Sequence, residues 1–379
     1  MVMKTKSFTI SNVNEVHEKM DACMNEDFHA RIAFVFATPR KEIIQELSDA
    51  FSRYDIHVVG SSSGGNILVD KNSDPIFEDE VVVTLVELND AHYAYFSIEQ
   101  KGNSSFEFGK EIGSWGSENF KKPSFIVIAS GLSLNGQEFV EGIMDTAGKD
   151  ITMFGGLAGD DTKFEQNYVF SGKKVLKNGA IAIAFDPKHI DMRGIATSGW
   201  VGLGKDLIIT SSESNIVYSI DNEPALKVYK KYLDVQDDDL PAIGVEYPLL
   251  IKRSDNSYAL RAVMGVDRER EALIFAGSVP QDAIVTFSSS PGFEVMDRTK
   301  EKISDFYEAY PEADMLLLFS CMARHLALGP VISGELSFPS EKWGIPLSGF
   351  FTYGEIGTNL DQACDFFNQT YTLVILKEK

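Results

Sequence analysis

Near-continuous apolar runs alternate with amphipathic stretches along this chain, which is typical of buried strands covered by helices. The first such set begins with the strand-like run RIAFVFATP, continues with KEIIQELSDAFSR, and ends with HVVGSSSGG and EVVVTLVEL. In the second stretch, Ile44, Leu47 and Phe51 fall on one helical face. The pattern therefore predicts a strand, a helix and two further strands.

The same order occurs twice more. A second set reads SFIVIASGL, NGQEFVEGIMDTAG, MFGGLAGDD and GAIAIAF. A third reads DMLLLFSCMAR, a more broken stretch, PLSGFFTYGEIG and TYTLVILKE. We interpret the three sets as copies of one strand-helix-strand-strand unit.

A stretch of different texture separates the second copy from the third. It contains the helix-like EPALKVYKKYL, followed by short alternating runs such as YPLLIK and YALRAVMGVD. The chain has 379 residues, which is long for one hydrophobic core. We therefore predict an α/β protein of mixed α+β type, with mixed sheets covered by helices and two domains, residues 1–204 and 205–379.

The excess of acidic over basic residues limits the classes of molecule that the protein is expected to bind. With 35 Lys and Arg against 56 Asp and Glu, the formal net charge is −21. Such a surface repels phosphates and anionic membranes, so we expect neither nucleic acid nor a membrane as a partner. No run approaches the roughly 20 apolar residues of a membrane-spanning helix.

Cysteine usage points to a reducing compartment. The three cysteines, Cys23, Cys321 and Cys364, are far apart and form no C-x-x-C pair. This pattern favours neither a disulfide framework nor a structural zinc site, and we expect no bound metal. The N-terminus lacks a signal-peptide pattern, so the predicted location is the cytoplasm.

One glycine-rich turn has the spacing of a catalytic motif. Ser62 lies between Gly60 and Gly64 after an apolar run, in the G-x-S-x-G order of a hydrolase nucleophile. The corresponding turns of the other copies share glycines but not this serine, which favours a role for the glycines in close backbone approach. A hydrolase that uses Ser62 stays as an alternative.

Polar residues at such strand ends are candidates for binding a small ligand, because side chains converge there. We select Ser62, Ser63 and Gly64 in the first copy and Asp160 in the second. Asp160, like Glu355 in the third copy, could accept hydrogen bonds from a ligand ammonium group, or could instead tie down its own turn.

Three further residues are candidates for the site, and each of them could have a structural role instead. Arg324 could clamp a carboxylate, or pair structurally with Glu335 or Glu355. Cys321 could be an acyl-transfer nucleophile with His325 as its base, or a buried small apolar residue. Arg261 could face the pocket or form a surface ion pair.

The motifs together resemble those of a known family. In chain order they are VVGSSSGG, GGLAGD, SGW, PALKVYKKYL, YPLLI, LRAVMGVD, FSCMAR, GFFTYGEIG and NQTYTLVIL. This succession, from about Arg31 to Leu376, is similar to that of the FIST proteins, which pair a FIST N with a FIST C sensory domain. The chain departs from the family pattern at Ser61, where a cysteine is common, and at Asn66, where an acid is common.

The resemblance implies a non-enzymatic sensor of signal transduction that binds a small molecule, with an amino acid or another small carboxylate as the expected ligand class. It also implies that a separate signalling protein, such as a kinase or a cyclic-nucleotide enzyme, carries the output. One branch of the family binds haem and senses nitric oxide. In that alternative, His325 would be an axial ligand of the haem. If the protein does not bind haem, we expect no cofactor.

Overall fold

In the computed structural model, the described residues are 3–24, 27–70, 75–236, 239–240, 242–252, 258–290, 292–358 and 364–379. Most of them belong to three repeats. Each repeat has the order strand, helix, strand, helical segment, strand, two-stranded hairpin and final strand. In the third repeat, an inserted domain precedes the first helix.

The elements of the first two repeats follow one another directly. The first repeat comprises β1 (Lys4–Ile10), α1 (Glu15–Cys23), β2 (Ile32–Ala37), α2 (Lys41–Phe51), β3 (His57–Ser62), β4 (Asn66–Val69), β5 (Ile76–Phe77) and β6 (Val81–Glu87). The second comprises β7 (Tyr93–Glu99), α3 (Ser105–Asn119), β8 (Ser124–Ser130), α4 (Gly136–Ala147), β9 (Met153–Ala158), β10 (Val169–Ser171), β11 (Lys174–Leu176) and β12 (Gly179–Phe185).

The third repeat begins with one strand and resumes after the inserted domain. Its first strand is β13 (Ile190–Thr197). The inserted domain comprises β14 (Val201–Glu213), β15 (Ile216–Ile220), β16 (Glu223–Pro224), α5 (Ala225–Leu233), α6 (Ala242–Glu246), β17 (Leu249–Lys252), β18 (Tyr258–Arg261), β19 (Val263–Asp267), β20 (Ala272–Phe275) and β21 (Ile284–Ser289). The repeat then continues with α7 (Glu294–Ala309), β22 (Met315–Cys321), α8 (Met322–Leu328), α9 (Ser333–Trp343), β23 (Leu347–Thr352), β24 (Glu355–Gly357), β25 (Asp365–Phe367) and β26 (Tyr371–Glu378).

Each repeat forms the same four-stranded arrangement and receives a hairpin from another repeat. The sheet orders are β1-β6-β2-β3-β10-β11, β7-β12-β8-β9-β24-β25 and β13-β26-β22-β23-β4-β5. The first repeat thus donates its hairpin to the third, the second donates to the first, and the third donates to the second. The three sheets are linked in a closed ring.

A glycine stands at the same register position of β3, β9 and β23, opposite each donated hairpin. Gly60 pairs with Phe170 of the incoming β10, and the equivalent glycines of the other repeats pair with isoleucines. A Cβ atom at Gly60 would lie 2.4 Å from the Phe170 ring. At Gly155 and Gly349, a Cβ atom would instead meet the carbonyl oxygens of Val127 and Leu318 in the adjacent strand of the same repeat, so only Gly60 makes room for the neighbouring repeat.

The sheets bury both of their faces. The inner faces form one central core, in which Phe34, Ile126 and Phe319 represent the three repeats. The outer faces pack against helices, for example Val35 under α1 and α2, and Val127 under α3 and α4. Burial on both faces explains why these strands are near-continuous apolar runs.

The predicted fold class, with mixed sheets covered by helices and built from recurring units, is confirmed. The predicted boundary after residue 204 falls inside β14, and the third repeat contains strands from both sides of it. The two-domain division at that residue stays a prediction. Among the described residues, no helix combines the length and apolar character that a membrane span requires.

Glycines in α3 permit a close helix contact that can be tested. A Cβ atom at Gly113 would lie 2.3 Å from the carbonyl oxygen of Ile143 in α4, so we expect Gly113→Ala to lower the free energy of unfolding by about 1–3 kcal/mol through overpacking. Gly334 in α9 is the control, since its nearest such contact is 3.6 Å. Gly334→Ala should be neutral or stabilising by up to about 1 kcal/mol. Equal effects in urea unfolding would contradict this packing role.

Candidate functional site

The turns that follow β3, β9 and β23 meet at one place. We call them the first turn (residues 62–65), the second turn (157–160) and the third turn (351–354). The Ser62 hydroxyl donates to the Gly159 carbonyl at 2.8 Å, which joins the first turn to the second. The backbone N–H of Tyr353 donates to the Leu157 carbonyl at 3.0 Å, and that of Phe351 to the Gly65 carbonyl at 3.0 Å. The three turns are therefore bonded to one another.

A cleft of about 260 Å³ opens between the first repeat and the loop that follows the second turn. Residues lining it are Thr38, Pro39, Arg40, Ser63, Gly64, Glu78, Asp79, Asp160, Asp161, Lys163, Glu165 and Gln166. Because β2 and β3 are adjacent parallel strands, their carboxyl ends deliver residues 38–40 and 63–64 to the same sheet edge. Ligands commonly bind at this edge in α/β proteins.

Both charge signs are present in the cleft. Arg40 and Lys163 supply cations, and Arg40 forms an exposed ion pair with Asp79 at 3.3 Å. Lys163 lies 4.0 Å from Asp161. Arg40 also immediately precedes α2, whose N-terminus has no side-chain cap, so backbone N–H groups there are available to an anion.

Asp160 ties the loop to the second turn. It is buried, and its carboxylate accepts backbone N–H groups from Phe164 at 2.9 Å, Glu165 at 2.7 Å and Gln166 at 2.8 Å. It also accepts the hydroxyl of Tyr353. These four donors occupy the carboxylate, so Asp160 shapes the cleft wall through the loop that it orders.

The serines of the first turn are buried and hydrogen-bonded. Ser62 has no exposed surface, and besides donating to Gly159 it accepts the Tyr168 N–H at 2.9 Å. The Ser63 hydroxyl donates to Asn66 Oδ1 at 2.6 Å and accepts the Gly65 N–H at 3.1 Å. Ser63 and Gly64 line the cleft, while Ser62 lies beneath it.

Glu355 and Cys321 form a buried polar cluster in the third repeat, outside the cleft. Glu355 accepts the Thr352 hydroxyl, the Thr370 hydroxyl at 2.7 Å and the Thr370 N–H at 3.1 Å, and the Cys321 thiol also bonds to it. Burial raises the pKa of Glu355 to about 7 despite these hydrogen bonds. Burial likewise raises the pKa of the Cys321 thiol well above its usual range, which disfavours the thiolate form.

Arg324 is buried and pairs with Glu335 rather than Glu355. It donates to both carboxylate oxygens of Glu335, to the Thr299 hydroxyl at 2.9 Å and to backbone carbonyls of Ser198 and Gln369. These bonds engage all three guanidinium nitrogens. Arg324 thereby fixes Ser198, at the point where the chain leaves β13 for the inserted domain.

Arg261 is also buried, and not at the surface. From β18 it donates to the Gln137 side chain at 2.6 Å and to the Phe366 carbonyl at 3.1 Å. It therefore holds the inserted domain against α4 of the second repeat and against the hairpin donated by the third. The cleft residues do not include Arg261, Cys321, Arg324 or Glu355.

His325 lies beside a second cleft of about 560 Å³ that shares Glu78 and Asp79 with the first. Its ring stacks on Phe351 at 4.5 Å, and burial lowers its pKa. The Nδ1 atom is buried without a hydrogen bond among the described residues. Among the described residues, the lining contains three successive acids, residues 78–80, and no lysine or arginine to pair with haem propionates. The site fits haem poorly, and we derive no function from it.

Sequence reasoning predicted Asp160 but missed the other charged residues of the cleft. Arg40 could have been found, because it follows a strand that runs parallel to the one before the first turn. Lys163 and Glu165 belong to a loop whose position depends on hairpin exchange, and no local pattern indicates it. Within the described ranges, no three His, Cys, Asp or Glu side chains form a group suited to a metal ion.

Comparison with known families identifies both parts of the chain. The FIST N domain model matches residues 31–223, and the FIST C domain model matches residues 225–358. The chain belongs to the FIST family. FIST domains are sensory domains of signal transduction, which fits a sensory role for this protein. A search of curated proteins gave no match.

In this FIST protein, the buried Glu355 predicts a pH dependence. A folded-state pKa near 7, above the ordinary 4.5, means that its contribution to stability is fully present below about pH 4.5 and is lost as pH rises through 7. Glu355→Gln removes this titration. Its free energy of unfolding minus that of wild type should therefore rise between pH 5 and pH 8, by up to about 3 kcal/mol.

The measurement is urea unfolding of both proteins across that pH range. Glu301, exposed on α7, supplies the control, because Glu301→Gln should leave the difference nearly constant. A Glu355→Gln curve that stays parallel to wild type would contradict the raised pKa.

Proposed function

We propose that this FIST protein is a non-enzymatic sensor that binds an amino acid or another small carboxylate in the cleft between the first and second repeats. The observation that carries the proposal is the joint presence of cations, acids and an uncapped helix N-terminus in one small cleft. Family membership supports the sensory role, and the cleft supports the ligand class.

The ligand carboxylate would bind at Arg40. A guanidinium group can hold a carboxylate with two parallel hydrogen bonds, and the first-turn N–H groups of α2 add donors beside it. Arg40 is half exposed and its present partner, Asp79, is itself exposed. Such a surface ion pair contributes little to stability, so a ligand can displace it at small cost.

The ligand ammonium group would bind among the acids. Asp161 and Glu165 come from the loop ordered by Asp160, and Glu78 comes from the segment before β6. Asp160 has no such role in this proposal, because four donors already occupy it. Pockets that bury drug-sized ligands have volumes of roughly 300–1,000 Å³, so a cleft of about 260 Å³ suits a smaller solute.

The cleft lies between two repeats, and this position suits signalling. A ligand can shift a conformational equilibrium only when its affinity differs between two states. The ligand would contact residues from two separately formed sheets. If the sheets moved relative to each other, these contacts would differ between the two states, and so would the ligand's affinity. We propose that a separate signalling protein, such as a kinase or a cyclic-nucleotide enzyme, reads the change.

A thermal-shift series with the twenty common L-amino acids and small mono- and dicarboxylates tests the proposal. At least one compound should raise the melting temperature of wild type, because a ligand that binds only the folded state stabilises it by mass action. Arg40→Ala should weaken that compound's affinity at least about tenfold, since hydrogen bonds to charged groups contribute about 1.5–3 kcal/mol.

Arg298→Ala is the matched control. Arg298 forms a comparable exposed ion pair with Glu294 at 3.4 Å, but it lies on α7 and outside the cleft. This variant should respond to the compound as wild type does. The proposal fails if no compound shifts wild type, or if both arginine variants respond equally.

A further inference from the structure

Strand β7 of the second repeat has one free edge. It is the terminal strand of its sheet and pairs with β12 alone. Among the described residues, no other strand pairs with it. A free edge presents unpaired backbone N–H and C=O groups that can template the addition of another strand.

The ladder register identifies which groups are free. Just beyond the two ends of β7, the Asp186 N–H donates to the His92 carbonyl and the Gln100 N–H donates to the Asn178 carbonyl. Bonded pairs alternate in an antiparallel ladder, so the even-numbered residues between them face β12. The backbone groups of the odd-numbered residues therefore point away from β12; these are Tyr93, Tyr95, Ser97 and Glu99.

Two clefts follow one another along this edge. The first, of about 370 Å³, includes Tyr93 and Tyr95, and the second, of about 430 Å³, includes Ser97 and Glu99. One wall of the groove is a single face of α3, formed by Glu111, Trp115 and Asn119. The opposite wall belongs to the first sheet; it is formed by Arg31, His57, Lys174 and Leu176.

The equivalent strands of the other repeats are protected, whereas β7 is not. Strand β1 carries Lys4 and Lys6, whose ammonium groups bond to the carbonyls of Asp27 and of Cys23, the last residue of α1. Strand β13 carries Arg193, and its Ala196 N–H already donates to the Thr358 carbonyl. Lysine and similar charges on an edge discourage strand addition. The sequence of β7, YAYFSIE, has no basic residue and no proline.

We propose that the free edge of β7 binds an extended segment of a partner protein as an added antiparallel or parallel strand. The recessed position favours a single extended chain over a second copy of this protein. An equally recessed β7 from another copy could not reach the floor of the groove. This proposal does not depend on the ligand cleft and supplies a surface through which a separate protein could bind.

The groove also predicts the chemistry of the segment. Side chains of an added strand alternate between its two faces. Those toward α3 would meet Phe96, Ile98 and Trp115, which favours apolar or aromatic residues. Those on the other face would meet Ser97, Glu99 and Lys174, whose ammonium group lies 3.4 Å from the Ser97 hydroxyl, which favours polar residues.

Residue-resolved hydrogen exchange and a peptide selection test the proposal together. In the free protein, the amides of Tyr95, Ser97 and Glu99 should exchange faster than those of Ala94, Phe96 and Ile98. A phage-displayed library of random dodecapeptides, selected on the intact protein, should give peptides with alternating apolar residues. A bound synthetic peptide should slow exchange of the odd-numbered amides about tenfold or more.

Ser97→Pro is the decisive variant. It removes an N–H that points into the groove and leaves the ladder with β12 intact, so the fold should survive, as its melting temperature will show. Peptide affinity should fall about tenfold or more through loss of one hydrogen bond and obstruction by the ring. Ser97→Ala is the control, because it loses the same hydroxyl but keeps the backbone N–H, so it should bind the peptide far more tightly than Ser97→Pro does.

Several outcomes would overturn the proposal. They are a selection that yields no peptide, peptides that bind Ser97→Pro and wild type equally, and protection confined to amides outside β7. Sedimentation of the free protein adds another. A wild-type dimer that becomes a monomer in Ser97→Pro would assign the edge to a second copy of the chain instead. Should Ser97→Pro unfold, the exchange pattern with the bound peptide decides alone.

Discussion

The exchange of hairpins among the three repeats is the constraint on which the rest of this structure depends. A hairpin that pairs with a neighbouring sheet must leave its own repeat immediately after β3, β9 or β23. The residues at these exits are therefore held where repeats meet, by pairing on both sides. Gly60 shows what this requires, because the Phe170 ring of the neighbouring hairpin occupies the space that a side chain would fill. The pairing of strands between repeats brings the three turns together, and attraction among their own side chains is not the cause.

The candidate cleft lies where the first and second repeats meet. The length of the segment between the end of β9 and the donated hairpin explains this position; we call such a segment the exit of its repeat. The first and third exits, residues 63–65 and 353–354, are short, whereas the second, residues 159–168, is long. The long exit supplies Lys163 and several of the cleft acids, and Asp160 holds it in place through backbone N–H groups. At the exit of the third repeat, Glu355 instead bonds to Cys321 and to the hydroxyls of Thr352 and Thr370.

Local patterns predicted the repeats but not their exchange. Runs such as RIAFVF are apolar throughout because both faces of their strands are buried, so three units could be predicted without a structure. Hairpin exchange depends on pairing between segments distant in sequence, which no periodicity encodes. The same limit applies to the site. Ser63, Gly64 and Asp160 follow strands and were predicted at the cleft, whereas Arg40 and Lys163 become neighbours only through the exchange. The glycines of α3 lower its intrinsic helix propensity, and only its contact with α4 shows why they are present.

Strand β3 extends from the candidate cleft to the β7 groove. Its last residues lead into the first turn, and its first residue, His57, stacks on Tyr95 at 4.7 Å. The Tyr95 hydroxyl also donates to the Val58 carbonyl at 2.7 Å, so β3 and β7 are joined at that end. A displacement of β3 by a ligand at one end would therefore reach the groove at the other. Coupling between two binding events is reciprocal. If the ligand changes the affinity for a peptide on β7 by some factor, the peptide changes the affinity for the ligand by the same factor. Val59 of β3 packs in the central core, so the core would have to accommodate that displacement.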